Sequence, residues 1–275
     1  TEVGLEHLWF AWEHNKSKKY KNNRYSGVDS SRVYTTEQII NRINKGKRFS
    51  IPLCDPVSLA VQGELIGRDN FIKREIDPYL LGLLLGDGSI VSKNQINITS
   101  MDGQIWQFLQ QHVGQYLRIS DKENNQAKQF YFRGVYADYL WNNLEHLGLS
   151  GCKSDTKFIP RIYLWAPKED RWKLLQGLMD TDGWVEEKRA LYYTTISPKL
   201  RDDVLFLIRS LGGVASVTEK IPKYEYKGEK LEGQLAYTIR FKIRNPIDCF
   251  NLFRKKDTAS TINFQSLGKI IKNIE

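Results

Sequence analysis

The sequence predicts a mixed α/β (α+β) fold built as two pseudo-symmetric halves, preceded by an N-terminal extension. Three observations carry this. Two stretches read almost alike: LLGLLLGDG at residues 80–88 and LQGLMDTDG at residues 175–183. Each is an apolar, helix-like run with a glycine in its first turn and an acid followed by glycine at its end. The segments after the two stretches then alternate strand-like and helix-like patterns in the same order. Internal repetition of this kind is settled before any other fold question.

The elements follow in order. Residues 1–75 form the extension, 76–166 the first half, 167–261 the second half and 262–275 a tail. The first half opens with Asp77, suited to cap a helix, and Pro78, whose missing N–H costs nothing at the first helical position. Residues 79–85 contain only Tyr, Leu and Gly, so this helix is apolar all round and should be buried. Gly88 is expected to end it in the left-handed conformation. A strand over Gln95–Ser100, a helix over about Gln104–Leu117, a strand over Gln129–Val135 and a helix over about Ala137–Leu147 complete the half. The second half reads as a helix over Glu169–Asp182, a strand over Leu191–Ser197 and a helix over Lys199–Leu211. A long hairpin over Ala215–Ile243 and a helix over Pro246–Phe253 finish it.

Gly82 and Gly86 stand four apart, as do Gly177 and Thr181. Small residues at that spacing let two helices pack closely, which would set Asp87 and Asp182 at neighbouring C-terminal ends. A helix C-terminus already carries partial negative charge. Two carboxylates added there repel unless a cation bridges them.

Composition narrows the function classes. The chain has 275 residues, 41% hydrophobic and 12% aromatic, enough to bury the core of one large domain or two. Its apolar runs are too short for a membrane span, and no signal peptide opens it. Cys54, Cys152 and Cys249 lie far apart, which suggests reduced thiols in a cytoplasmic setting. The four histidines form no metal-ligand pair, which argues against zinc.

The net charge of +9 suits a polyanionic partner, and its placement is more informative. Tyr237, Ile239, Phe241 and Ile243 alternate with Thr238, Arg240, Lys242 and Arg244. One sheet face would be buried and the other cationic. A two-stranded β-ribbon or sheet can enter the major groove of DNA, which makes Arg240, Lys242 and Arg244 candidates for phosphates or guanine edges. Lys93 and Arg133 are the first-half candidates. Lys18, Lys19 and Lys21 belong to a basic run interleaved with Tyr20 and Tyr25, read as a loop that touches the DNA backbone.

This organisation resembles the LAGLIDADG homing endonucleases. Leu80–Gly88 and Leu175–Gly183 align with the nine-residue motif; the second copy matches at Leu175, Gly177, Leu178, Asp180, Asp182 and Gly183. The first copy departs at Leu85, where the family often has an acid. The resemblance covers about residues 76–260. It implies two αββαββα half-domains with the motif helices at their interface and saddle-shaped antiparallel sheets over DNA. It also implies that Asp87 and Asp182, with the adjoining Gly86 and Thr181, hold two or three shared Mg²⁺ ions. A monomer would then cut both strands of a long asymmetric double-stranded target.

A second resemblance is to intein-encoded members. Gly151–Pro160 looks like the lysine-bearing segment between their two motifs, which would make Lys157 catalytic. Lys255 and Lys256 follow the corresponding second-half helix, and Lys256 is taken as the counterpart. Glu6-His7-Leu8-Trp9 and Lys269–Glu275 resemble splicing segments, and Ser31–Glu37 and Phe49-Ser50-Ile51-Pro52 resemble the stretch leading into the endonuclease, although the chain begins with Thr1 and ends with Glu275. An intein interior, able to assemble with separate terminal fragments, or a free-standing relative would fit. The resemblance also leaves open a cleavage-inactive, maturase-like binder of DNA or RNA. A cytoplasmic location in a prokaryotic or phage-infected cell is implied.

Overall fold

The computed structural model describes residues 6, 8–14, 30–52, 55–57, 76–121, 126–226, 229–262 and 268–270. Lys18, Lys19 and Lys21 lie outside the described residues. The chain divides into two compact units, residues 1–55 with 264–275, and residues 56–263.

In the first unit, β1 (Leu8–His14) is the inner strand between β2 (Ser30–Thr35) and β3 (Arg48–Pro52), all antiparallel. The helix α1 (Thr36–Asn44) joins β2 to β3. It starts in a capping box, with the Thr35 hydroxyl accepting from the Gln38 N–H and the Gln38 side chain accepting from the Thr35 N–H. The short strand Gly268–Ile270 from the far end of the sequence pairs with the other edge of β3, so extension and tail build one sheet. Ala11, Tyr34, Ile39 and Phe49 form its core.

The second unit carries the repeat. Its first half runs α2 (Pro78–Leu85), β4 (Gly88–Ser89), β5 (Asn97–Ser100), α3 (Gly103–Val113), β6 (Leu117–Asp121), β7 (Lys128–Phe132) and α4 (Gly134–His146). A short helix, α5 (Arg161–Leu164), leads into the second half. There follow α6 (Lys168–Thr181), β8 (Gly183–Glu186), β9 (Ala190–Thr195), α7 (Pro198–Ser210), β10 (Val214–Lys220), the hairpin β11 (Lys223–Tyr226) and β12 (Glu229–Glu232), β13 (Ala236–Lys242) and α8 (Phe253–Ser260). The first-half sheet is ordered β4-β5-β7-β6 and the second β8-β9-β13-β10. With the β11–β12 hairpin set aside, the two orders coincide strand for strand, and every pairing is antiparallel. Each half is thus αββαββα.

Several sequence expectations need correction. The helix expected to reach Leu117 stops at Val113, because Gly114 turns to φ +59°, and residues 117–121 become β6. β7 ends at Phe132 and α4 starts at Gly134 (φ +56°), not at Ala137. Residues 246–249 make only one 3-10 turn, and the closing helix comes later, from Phe253. Gly88 is not left-handed. It begins β4, as Gly183 begins β8, and both strands double back against the helix just ended. A Cβ on Gly88 would stand 2.5 Å from Leu84 Cα, and one on Gly183 2.7 Å from Met179 Cα. Close approach, not a positive φ, demands glycine at both places.

The core of this unit is centred on α2. Every residue of Pro78–Leu85 is buried, as its unbroken apolarity requires. The side chain of Asp77 caps it by accepting from the N–H groups of Tyr79 and Leu80. Each fully buried leucine contributes about 1.5–3 kcal/mol of hydrophobic stabilisation before entropy is counted.

Candidate active site

α2 and α6 pack side by side along their glycines. A Cβ on Gly82 would lie 2.8 Å from Gly177 Cα, and one on Gly177 2.8 Å from Gly82 Cα. No residue larger than glycine fits at either position without moving backbone. Further along, Gly86 faces Thr181, and Asp182 Oδ2 lies 3.2 Å from where a Gly86 Cβ would be. The close crossing therefore carries both motif acids to one place, at two adjacent helix C-termini.

The electrostatics of that place are unfavourable to the acids alone. Burial is the largest influence on Asp182 and the Asp87 charge the second; both raise its pKa, to about 7, against the pull of Lys157 and Lys255. Burial also raises Asp87, again opposed by Lys255 and Lys157. Two desolvated like charges at the negative ends of helices favour a bound cation. Among the described residues no group of three or more His, Cys, Asp or Glu could hold a metal. Two carboxylates suit Mg²⁺, which keeps several waters and completes its shell with substrate phosphate oxygens. They do not suit an ion that needs a closed protein cage.

Two buried lysines bracket the acids. Lys157 Nζ donates to the carbonyls of Leu84 (2.9 Å), Gly86 (3.1 Å) and Gly88 (2.7 Å). Lys255 Nζ donates to those of Met179 (2.8 Å), Asp180 (2.8 Å), Thr181 (3.3 Å) and Gly183 (2.7 Å). The two sets correspond carbonyl for carbonyl: Leu84 to Met179, Gly86 to Thr181 and Gly88 to Gly183. The second-half counterpart of Lys157 is therefore Lys255, not Lys256. One step further along α8, Lys256 turns away and sits 6.0 Å over the Phe253 ring. Burial lowers both buried lysines to about 8, while neighbouring carboxylates pull them back up. An ammonium has three N–H donors. Three carbonyls take those of Lys157, so it acts here as a fixed cation at a helix end and not as a free proton donor.

Each lysine is held by the opposite half. Ser197 Oγ donates to the Lys157 carbonyl (2.6 Å), and Asp203 accepts from the Ile159 N–H (3.0 Å). Ser197 caps α7 and Asp203 lies inside it, on its buried side. Conversely, Asp102 at the start of α3 takes a two-pronged contact from Arg254 (both 2.7 Å), and Gln104 accepts from the Phe253 N–H (2.7 Å). The Arg254 contact lowers the Asp102 pKa. Asp180 adds a second anchor. It accepts from the N–H groups of Asn251 and Leu252 and from Tyr79 Oη (2.8 Å). Sequence reasoning missed Asp102 and Asp203, named Asp180 only as a motif match, and named Lys255 beside Lys256 but took the wrong one of the two. For Asp102 and Asp203 the only signal was a polar residue capping or inside an amphipathic helix.

Of the DNA-contact candidates, Arg240 and Arg244 are exposed and Lys242 half-buried, while Tyr237, Ile239, Phe241 and Ile243 are buried. Arg240 Nε donates to Tyr192 Oη (3.2 Å), and the Tyr192 ring stacks on Trp184 at 5.2 Å. Arg133 is exposed where α4 begins. Lys93 pairs with Asp138 (2.9 Å) in an exposed contact.

Residues 170–244 match the LAGLIDADG-like domain. That match covers the second half of the repeat and includes its motif, Leu175–Gly183. The chain's first motif helix and sheet repeat the matched half element for element. Among curated proteins it is 30% identical over 156 residues to the ATP-dependent DNA helicase Hel308 of Thermococcus kodakarensis, covering 52% of this chain and 13% of that protein. It is 29% identical over 180 residues to the replicative DNA helicase DnaB of Mycobacterium intracellulare, covering 66% and 26%. It is 25% identical over 200 residues to the homothallic switching endonuclease of Saccharomyces cerevisiae, covering 63% and 34%. The chain thus spans about a third or less of each of these relatives. A crystal structure of I-DmoI with DNA and Ca aligns at 15% identity and TM-score 0.42, over 68% of this chain and 97% of that one. Mesophilic variants of the homing endonuclease I-DmoI align at 16% and 0.39, over 64% and 92%. Among the described residues, no helix is long and apolar enough to cross a membrane.

Proposed function

We propose that this chain is a site-specific homing endonuclease that makes a double-strand break in DNA. The observation that carries this reading is the meeting of Asp87 and Asp182 at adjoining helix ends, each flanked by a buried lysine. The acids bind divalent ions, for which Mg²⁺ fits best. When bound, such ions supply an activated water and neutralise charge at the scissile phosphate and leaving oxygen. Asp87 and Asp182 orient that shell, one from each half. Lys157 and Lys255 place fixed positive charge beside it and oppose the anionic build-up of the transition state without giving up a proton. The face of β13 that bears Arg240, Lys242 and Arg244 approaches the DNA phosphates and groove edges. Because the halves differ in sequence, the target is long and asymmetric, and one chain suffices to read it.

The relatives suggest where such a segment is carried. Two of the three are named as helicases and the third as an endonuclease, and this chain matches only 13–34% of each. This chain has no G-x-x-x-x-G-K-[ST] phosphate loop, so ATP-driven unwinding has no motif here to rest on. A mobile module within different hosts, as an intein interior would be, accounts for the pattern.

The test is incubation with a duplex library carrying randomised sites, with Mg²⁺ or with chelator, followed by sequencing of cut ends. The expected result is Mg²⁺-dependent cutting of both strands at one recurring sequence. Selective retention of a sequence without any cutting would instead show a binding protein on this scaffold.

A further inference from the structure

Tyr193 stands apart from every other buried polar side chain among the described residues. Its hydroxyl alone has no hydrogen-bond partner. The side chain is fully buried on the inward face of β9, directly across the ladder from Gly183, the residue that follows Asp182. On its other side Tyr193 faces the buried Ile239 of β13, while on the β8 side Gly183 brings no side chain against the ring. The matching position in the first half, across from Gly88, is Ile98, also fully buried. A buried donor left without an acceptor is unfavourable. An isoleucine in the first half shows that an apolar residue fits this position of the fold. Burial above all, and then the charges of Asp182 and Asp87, raise the Tyr193 pKa and keep the phenol protonated, hence a donor.

We propose that the Tyr193 hydroxyl donates a hydrogen bond to a water in the divalent-ion shell held at Asp182, as a positioning residue present in only one half. This rests on the reading of the two acids as an ion site. The phenol is the donor, and the water is the acceptor that the described residues do not provide. The role is orientation of that water, so its loss bears on one of the two strand cuts and not on both.

The test is Tyr193→Phe, which keeps the ring and removes only the hydroxyl. Two readouts are taken. The first is the rise in Tm that Mg²⁺ or Ca²⁺ alone produces, without DNA. The second is single-turnover cleavage with each strand separately labelled. The ion-free Tm should be unchanged or higher. The ion-induced rise should fall by half or more, and one strand should be cut at least tenfold more slowly while the other keeps its rate. An unchanged ion-induced rise together with unchanged rates on both strands would overturn the proposal. If the wild-type chain cuts no DNA, the nuclease reading fails. The ion-induced Tm then decides alone: a reduced rise in the variant supports the Tyr193 assignment, and an equal rise overturns it.

Discussion

The two halves have the same skeleton but finish their motif helices differently. The first ends Leu85-Gly86-Asp87, the second Asp180-Thr181-Asp182. Leu85 is simply buried. Asp180, at the equivalent place, anchors the start of α8 through two backbone N–H groups and reaches across to Tyr79 of the first half. Lys157 rides on a loop pinned by α7, whereas Lys255 rides on α8, which Asp180 and Asp102 pin. One outcome, a buried ammonium capping a helix beside an acid, is thus reached by two different supports. The shared backbone sets where the chemistry sits, and the unshared side chains are free to diverge.

The largest expected effect tests what the halves share. Asp87→Asn and Asp182→Asn should each abolish double-strand cleavage with the fold intact, because each removes one anionic ligand of the ion. Stability should hold or rise, and for Asp182 the gain should depend on pH. Its folded pKa, about 7, exceeds its unfolded value, so the folded wild-type protein binds the extra proton between about pH 4 and 7. Wild-type stability therefore falls as pH rises through that window, and the Tm advantage of Asp182→Asn should grow over it. A pH-independent difference in thermal melts would show that Asp182 is not perturbed.

Next come the lysines. Lys157→Met and Lys255→Met should each slow single-turnover cleavage by two powers of ten or more, roughly 2.7 kcal/mol. Each should also cost about 1–3 kcal/mol of stability through helix carbonyls left without a donor. Lys256→Ala should change neither rate nor stability by a measurable amount. Equal losses in Lys255→Met and Lys256→Ala would break the correspondence between the halves.

Packing at the helix crossing is symmetric, so its disruption should be too. Gly82→Ala and Gly177→Ala place a methyl against backbone of the partner helix and should each destabilise by about 1–3 kcal/mol or more in denaturant titrations. A large cost at only one of them would mean that the crossing relaxes on one side.

The smallest effects belong to the cationic face of β13. Neutralising Arg240, Lys242 or Arg244 singly should lower the log–log salt slope of DNA binding by about 1 where the residue meets phosphate. A base-reading arginine should instead cost about 1–3 kcal/mol and relax preference at one or two positions. No change in affinity, slope or preference for all three would remove this strand from the interface.

The duplicated helix with its terminal acid was legible because its signal is local: nine contiguous residues, strong apolarity and a repeated glycine. The alternation in residues 237–244 was legible for the same reason. What stayed hidden depends on contacts between distant residues. β4 and β8 are two to four residues long and exist because glycine lets them fold back on a helix, a tertiary cause with no periodicity of its own. β6 lay behind an apolar pattern that suited a helix until Gly114 turned the chain. Lys255 and Lys256 are indistinguishable in sequence, and only the direction of α8 selects which one points inward. Asp102 and Asp203 were invisible as partners because each serves the half to which it does not belong.

The central claim, that Asp87 and Asp182 form one shared cation site, is tested most directly without DNA. Tm is measured at pH 8 while Mg²⁺ or Ca²⁺ is titrated into the wild-type chain, Asp87→Asn and Asp182→Asn, since an ion that binds only the folded state raises Tm by mass action. A shared site predicts a clear rise for the wild type and loss of that rise in both single variants. A rise that persists in either variant, or none in the wild type, would contradict it.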